Sequence, residues 1–146
     1  MRQTASRILL AATSLVLIAG AVFHTSAFGK VVAAVRVSNL AGFYGSGLKM
    51  LWIGQSVTLL ILSVIYASAA IRPAIAPRPL LAALALFPAS TAILLFLFFG
   101  AFFPSCLFLT CAVLASVAAV LSVSMTSAGS PHETTVHQRG PSQTDG

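Results

Sequence analysis

The feature that most constrains this chain is an uninterrupted apolar run from Leu48 to Ile71, which carries one charge, Lys49, at its start. As an α-helix with a rise of ~1.5 Å per residue, the run reaches ~36 Å, more than the ~30 Å hydrocarbon core of a bilayer. Trp52 and Tyr66 lie towards its two ends, where aromatic rings favour the headgroup regions. The Arg72-Pro73 step then ends the helix, because proline disfavours helix in the residue before it. The run is therefore predicted to span a membrane.

Composition places the rest of the chain in the same environment. Of its 146 residues, 58% are hydrophobic and only 7% are charged, and the mean hydropathy is +1.00. Soluble domains carry about 25% charged residues, so a soluble fold of this chain would lack a polar surface. The predicted fold class is all-α, an integral membrane four-helix bundle with a disordered C-terminal tail.

The apolar segments predict a four-span transmembrane domain over residues 1–126, with spans at about 8–28, 48–71, 80–99 and 106–125. Residues 127–146 are rich in Ser, Gly, Pro, Thr, Gln and His. Such a segment cannot bury enough apolar surface to order itself, so a disordered polar tail is predicted.

A cleavable signal peptide is the alternative interpretation of the first span. The start is basic, and Thr25-Ser26-Ala27 supplies small residues at a cleavage position. However, the apolar run from Ile8 to Phe23 is longer than the usual ~7–15 residues of a signal peptide. A retained first span is therefore favoured.

The connector between the first two spans is predicted to contain a short helix and a turn. Lys30 to Leu40 is typical of an interfacial helix, with apolar side chains in lipid and cations at the headgroups. The three glycines in Gly42 to Gly47 then predict a flexible turn.

Small residues at four-residue spacing predict a packing face on the fourth span, because such spacing lets helix backbones approach closely in lipid. This face is expected to pack inside the bundle or between protomers. Its members are Ala112 with Ser116 and Val120, Ala115 with Ala119, and Ala118 with Ser122.

The basic residues favour a membrane setting over nucleic acid. The net charge is +6, but the eight Lys and Arg residues are scattered, whereas nucleic-acid binders concentrate them on one face. Beside spans they act as topology signals and contact anionic headgroups, so membrane lipids are the expected partners. With both termini cytoplasmic, five basic residues lie inside (Arg2, Arg7, Arg72, Arg78 and Arg139) and three outside (Lys30, Arg36 and Lys49).

Acidic residues are informative by their position. The only two, Glu133 and Asp145, follow the last apolar segment. The spans therefore hold no carboxylate for a proton relay, a cation site or acid–base catalysis. The chain is predicted not to be an enzyme, and no cofactor or metal is expected.

His24, near the end of the first span, is the candidate functional residue. It would serve as a haem or metal ligand, or as a proton-responsive switch. A metal site needs further ligands, and no other His, Asp or Glu lies within a span, although two copies of His24 across a dimer would suffice for haem. An interfacial or hydrogen-bonded histidine is the simpler interpretation.

The cysteines and the tail histidines are weaker candidates. Cys106 and Cys111 are five residues apart, which separates them by ~140° around a helix, so they cannot bind one metal together. Buried apolar thiols are expected, with Cys106 the more accessible. His132, Glu133 and His137 are expected to be solvated polar residues of the tail.

Short motifs in roughly the first 60 residues carry a resemblance: His24-Thr25, Gly29-Lys30, Leu48-Lys49, Trp52 and Ser56-Val57. This set resembles a family of uncharacterised small four-span bacterial inner-membrane proteins, with a histidine and Leu-Gly-Glu after the first span and Trp-His-x-x-Ser-Val in the second. Here Lys30 replaces the acidic residue, and Ile53 replaces the second histidine. The resemblance implies a bacterial inner membrane and four spans, and no activity.

The leading hypothesis is a non-enzymatic accessory, assembly or lipid-interacting membrane component. The alternative is a small transporter of a neutral or lipid-like solute. Small multidrug exporters share the length and span count, but they couple protons through a glutamate in their first span, which this chain lacks. Whether the chain forms a homo-oligomer or joins a larger membrane complex stays open.

Overall fold

A computed structural model of the chain describes residues 1–40 and 42–122. Most of these residues lie in five α-helices. The helices are α1 (Arg2–Ser26), α2 (Phe28–Val37), α3 (Gly42–Ile71), α4 (Arg78–Phe99) and α5 (Phe103–Leu121). Within these ranges four helical segments are long and apolar enough to cross a membrane, α1 and α2 counting as one. The all-α multi-pass architecture is confirmed. The predicted disordered tail, 127–146, and the last residues of the predicted fourth span lie outside the described residues.

Proline and glycine set the ends of the later helices. α3 stops before Pro73, which begins a single 3-10 turn, Pro73–Ile75. α4 begins after the extended Pro77, and α5 begins after Phe102 with Pro104 in its first turn, where a missing N–H costs nothing. Between α4 and α5, Gly100 has φ +75°, a conformation that L side chains rarely adopt.

The helices pack in the order α3, α1, α5, α4. α1 lies against both α3 and α5, and α4 joins the bundle through its hairpin with α5. The buried interior therefore forms around α1, where Leu17 is fully buried and shares one continuous core with Leu59 of α3 and Ala115 of α5.

Serine hydroxyls bond α1 to both of its neighbours. Ser14 on α1 and Ser63 on α3 form a buried hydrogen bond of 3.0 Å. Nearer the start of α1, the Ser6 hydroxyl donates to the Ala118 carbonyl of α5 at 2.9 Å and lies 3.2 Å from the Ser122 hydroxyl. Such bonds hold transmembrane helices together where lipid supplies no hydrophobic drive between them.

The predicted glycine turn at Gly42–Gly47 is wrong, because these residues form the first turns of α3. Gly45 is buried, and a Cβ added there would lie 2.8 Å from Val35 Cγ1 on α2. The small residue therefore lets α2 approach α3 closely. The helix at residues 30–40 is confirmed in part, since α2 runs from Phe28 to Val37.

Two predictions about side-chain faces also need correction. Tyr66 lies near the end of α3, but its ring is 0% exposed in the core instead of facing the headgroups, and its hydroxyl has no hydrogen-bond partner among the described residues. On α5, Ala112, Ala115, Ala118 and Ala119 are buried as expected. Ser116 and Val120 are exposed, because each step of four residues rotates ~40° beyond a full helical turn.

Candidate functional site

His24 lies at the end of α1 in a cluster with two residues of α3. Its imidazole stacks on the Trp52 indole, with ring centroids 4.1 Å apart and planes inclined by 15°. His24 Nδ1 lies 3.0 Å from the Ser56 hydroxyl, within hydrogen-bond distance. Trp52 Nε1 donates to the His24 carbonyl at 2.8 Å. The structure thus shows a hydrogen-bonded histidine, one of the arrangements that the sequence predicts.

The helical spacing on α3 explains why these groups meet. Trp52 and Ser56 are four residues apart and so lie on one face, a turn from each other. Trp52 therefore contacts both the ring and the carbonyl of His24, while Ser56 reaches the ring edge one turn further along. The Trp52 indole covers one face of the His24 ring and the Ser56 hydroxyl contacts its Nδ1, so the orientation of the ring is fixed. A binding or switching role would require such a fixed orientation.

A small apolar pocket of about 190 Å³ adjoins this cluster. Besides His24 and Trp52, it is lined mainly by the end of α1 and the start of α5: Gly20, Phe23, Ala27, Leu59, Phe102, Phe103, Pro104, Leu107 and Phe108. Gly20 brings the α1 backbone close to α5, since a Cβ there would lie 3.3 Å from Leu107. The pocket suits an apolar group.

Metal-ligand geometry is not found around His24. Among residues 1–40 and 42–122, no three His, Cys, Asp or Glu residues come together. Cys106 is exposed, Cys111 is buried, and both are free thiols, so Cys106 is the more accessible as predicted. The tail residues His132, Glu133 and His137 lie outside the described part of the chain.

A second and larger site lies at the opposite end of α1. It is a cleft of about 660 Å³, here named the arginine cleft, between the start of α1, the α3–α4 connector, the start of α4 and the end of α5. Its polar lining is Gln3, Ser6, Arg7, Arg78 and Ser122. Its other walls are Leu10, Ala69, Pro73, Ala74, Ala76, Pro77, Pro79 and Leu81.

Arg7 links two helices at the edge of this cleft. Its Nε donates to the Ala70 carbonyl at 2.7 Å, and its Nη2 lies 3.5 Å from the Ile71 carbonyl. These are the last carbonyls of α3, which have no partner within the helix, and a cation there opposes the negative end of the helix dipole. The contact therefore caps α3 from α1.

The arginine cleft is a candidate site that the sequence did not predict. Arg7 and Arg78 were expected to mark orientation and to contact headgroups separately. The available signal is the connector, in which two prolines lie between arginines at positions 72 and 78 and a third follows at 79, so that the backbone there is rigid.

Comparison of the chain with protein-family models, curated proteins and solved structures found no match. The resemblance to small four-span bacterial proteins therefore stays a prediction. Three residues that carry it, His24, Trp52 and Ser56, are in contact in the structure.

Proposed function

We propose that this protein is a non-enzymatic component of a bacterial inner membrane that acts by holding a lipid molecule in the arginine cleft. The observation that supports this function is the combination of cationic and apolar surfaces within one cleft. Its volume of about 660 Å³ lies within the ~300–1,000 Å³ typical of ligand pockets.

The lining matches the two chemical parts of a lipid. Pro73, Ala74 and Pro77 provide an exposed apolar wall for an acyl chain, and the buried Leu10 and Leu81 lie behind it. Arg7 and Arg78 are exposed at the same cleft, where they reach a polar headgroup.

The arrangement of basic residues supports a cytoplasmic position for this cleft. Arg7, Arg72 and Arg78 all belong to the end of the bundle that carries the start of α1 and the α3–α4 connector. Short cytoplasmic loops of membrane proteins are enriched in such residues. We therefore propose that both termini and the cleft face the cytoplasm.

Lipid retention tests the proposal. The full chain is purified, exchanged into a lipid-free neutral detergent, and its bound lipid is quantified by native mass spectrometry. We expect about one retained lipid per chain. Ala74→Phe, which fills the cleft from an exposed position, should lose that lipid.

The matched control is Ala33→Phe, the same change at an exposed position of α2 outside the cleft. It should retain lipid as the wild type does. If the wild-type protein carries no lipid after exchange, or if both variants retain it equally, the proposed function is wrong.

A further inference from the structure

The arginine cleft has cationic side chains without a carboxylate to balance them. Residues 1–122 contain no Asp or Glu at all, since the only two acidic residues of the chain are Glu133 and Asp145. Arg7 and Arg78 therefore line one cleft with no opposite charge from the described part of the chain. An anion bound in the cleft would supply that missing opposite charge and form charge-assisted hydrogen bonds with the guanidinium groups.

Two helix starts add positive potential to the same cleft. α1 begins beside Gln3 and α4 begins at Arg78, and both of these residues line the cleft. Neither helix has a side-chain cap or an acidic residue in its first turn. The N–H groups of these first turns, to which Pro77 and Pro79 contribute none, lack intrahelical partners and lie at the positive ends of the two helix dipoles.

Two helix C-terminal ends border the cleft, those of α3 and α5, and side chains of α1 bond carbonyls at both. The last carbonyls of α3, at Ala70 and Ile71, face the Arg7 guanidinium. Ser6 and Ser122 direct their hydroxyls to the Ala118 carbonyl. The donors left for a ligand are consequently the Arg78 guanidinium, the remaining N–H groups of Arg7 and the Gln3 amide.

We infer that the arginine cleft binds a phosphate group that carries a net negative charge, with Arg78 as its main contact. This inference rests on the proposed function. Arginine suits this task because its planar guanidinium presents two parallel N–H groups to phosphate oxygens. Arg7 has a second role in holding α3, so Arg78 is the residue whose loss should affect the ligand alone. Either an anionic phospholipid headgroup or free phosphate carries this group.

The test measures affinity of the full chain in neutral detergent by native mass spectrometry. The probes are dioleoylphosphatidylglycerol, which is anionic, and dioleoylphosphatidylcholine, which has the same chains and no net charge. We expect the wild type to bind the anionic lipid about tenfold more tightly, the size of one charge-assisted hydrogen bond. Arg78→Gln should abolish this preference.

Arg36→Gln is the matched control, since it removes the same charge from an exposed position on α2, outside the cleft. It should keep the tenfold preference. If Arg36→Gln loses the preference as fully as Arg78→Gln does, the effect is general electrostatics and the phosphate site is wrong. Equal wild-type affinity for both lipids also refutes the site but leaves the proposed function standing, whereas binding of neither lipid refutes the proposed function.

Two further arms identify the source of the phosphate. Inorganic phosphate at millimolar concentration should leave the melting temperature of the wild type unchanged if the ligand is a lipid. A rise that Arg78→Gln removes instead supports the site with free phosphate as its ligand. If the anionic lipid binds only after Glu133→Gln and Asp145→Asn, the anion of the cleft is a carboxylate of the chain itself, and the inference is wrong.

Discussion

The His24 imidazole and the Trp52 indole lie face to face with ring centroids 4.1 Å apart, although the two residues are 28 positions apart in the chain. The Trp52 N–H also bonds the His24 carbonyl, so one side chain of α3 contacts both the backbone and the ring of the same α1 residue. This double contact fastens the end of α1 to α3 at the mouth of the small apolar pocket.

The stacked pair should show energetic coupling. In a double-mutant cycle of His24→Ala and Trp52→Ala, we expect a coupling energy of about 0.5–1.5 kcal/mol, the range for stacked aromatic pairs. Denaturant-induced unfolding in mixed micelles measures it. His24→Ala combined with Leu51→Ala, an exposed residue of α3, is the control and should be additive. Additivity in the first pair would show that the stack adds no stability.

The buried alanine face of α5 should not accept larger side chains. Ala119→Leu adds volume at a position that is 3% exposed, and overpacking of this kind costs about 1–3 kcal/mol. Ser116→Leu places the same side chain on the exposed face of α5 and should melt within a degree or two of the wild type. Thermal unfolding in detergent compares them. Greater destabilisation by Ser116→Leu would mean that α5 is rotated relative to this structure.

Glycine positions on α3 should differ in their response to alanine. At exposed Gly54 nothing lies within 4 Å of an added Cβ, so Gly54→Ala should stabilise the helix by up to about 1 kcal/mol. At Gly45 the added Cβ meets Val35 Cγ1 at 2.8 Å, and a β-branched side chain cannot easily rotate away. Gly45→Ala should therefore give no gain or a loss. Equal stabilisation by both changes, measured by unfolding, contradicts the close packing of α2 on α3.

Retention of the first span is expected because α1 contacts both α3 and α5. Intact-mass spectrometry of the purified protein measures it directly. A mature chain that starts at Phe28 would contradict this prediction and would remove the helix that joins the two sides of the bundle.

Both termini are expected on the cytoplasmic side. A fluorescent protein fused after Asp145 should be bright, and alkaline phosphatase fused at the same point should be inactive, since the phosphatase needs export to fold. The reverse pattern would place the arginine cleft outside the cell.

Hydropathy was sufficient to predict the membrane-spanning helices but not which helices pack against each other. The run from Leu48 to Ile71 predicts the end of α3 but begins after its true start at Gly42, because length and apolarity decide whether a segment spans and do not fix where its helix begins. Neither property records which helices touch. Arg7 and Arg78 are 71 positions apart, and nothing in the periodicity around either residue places them at one cleft.

Residue type alone also gave wrong predictions where the same amino acid can have two structural roles. Glycines at 42–47 predict a turn from their backbone freedom, yet Gly45 is used for its lack of a Cβ. Tyr66 is of a residue type common at membrane interfaces, yet its ring is buried in the core. The sequence indicated His24 as a candidate functional residue, whereas its contacts with Trp52 and Ser56 required the packing of α1 on α3.

The hydrogen bond from Ser6 to the Ala118 carbonyl joins the first membrane helix to the last. During synthesis α1 enters the bilayer long before α5 exists, so its buried Ser6 hydroxyl has no α5 carbonyl to bond at that stage. α3 is the next spanning helix to be synthesised, and it packs against one side of α1, where Ser63 bonds Ser14. α4 follows in the chain and makes no comparable contact with α3. Only the emergence of α5 gives α4 its partner and closes the other side of α1. The spanning helices are therefore synthesised in the order α1, α3, α4, α5 but pack in the order α3, α1, α5, α4. The bundle is complete only once α5 has been inserted.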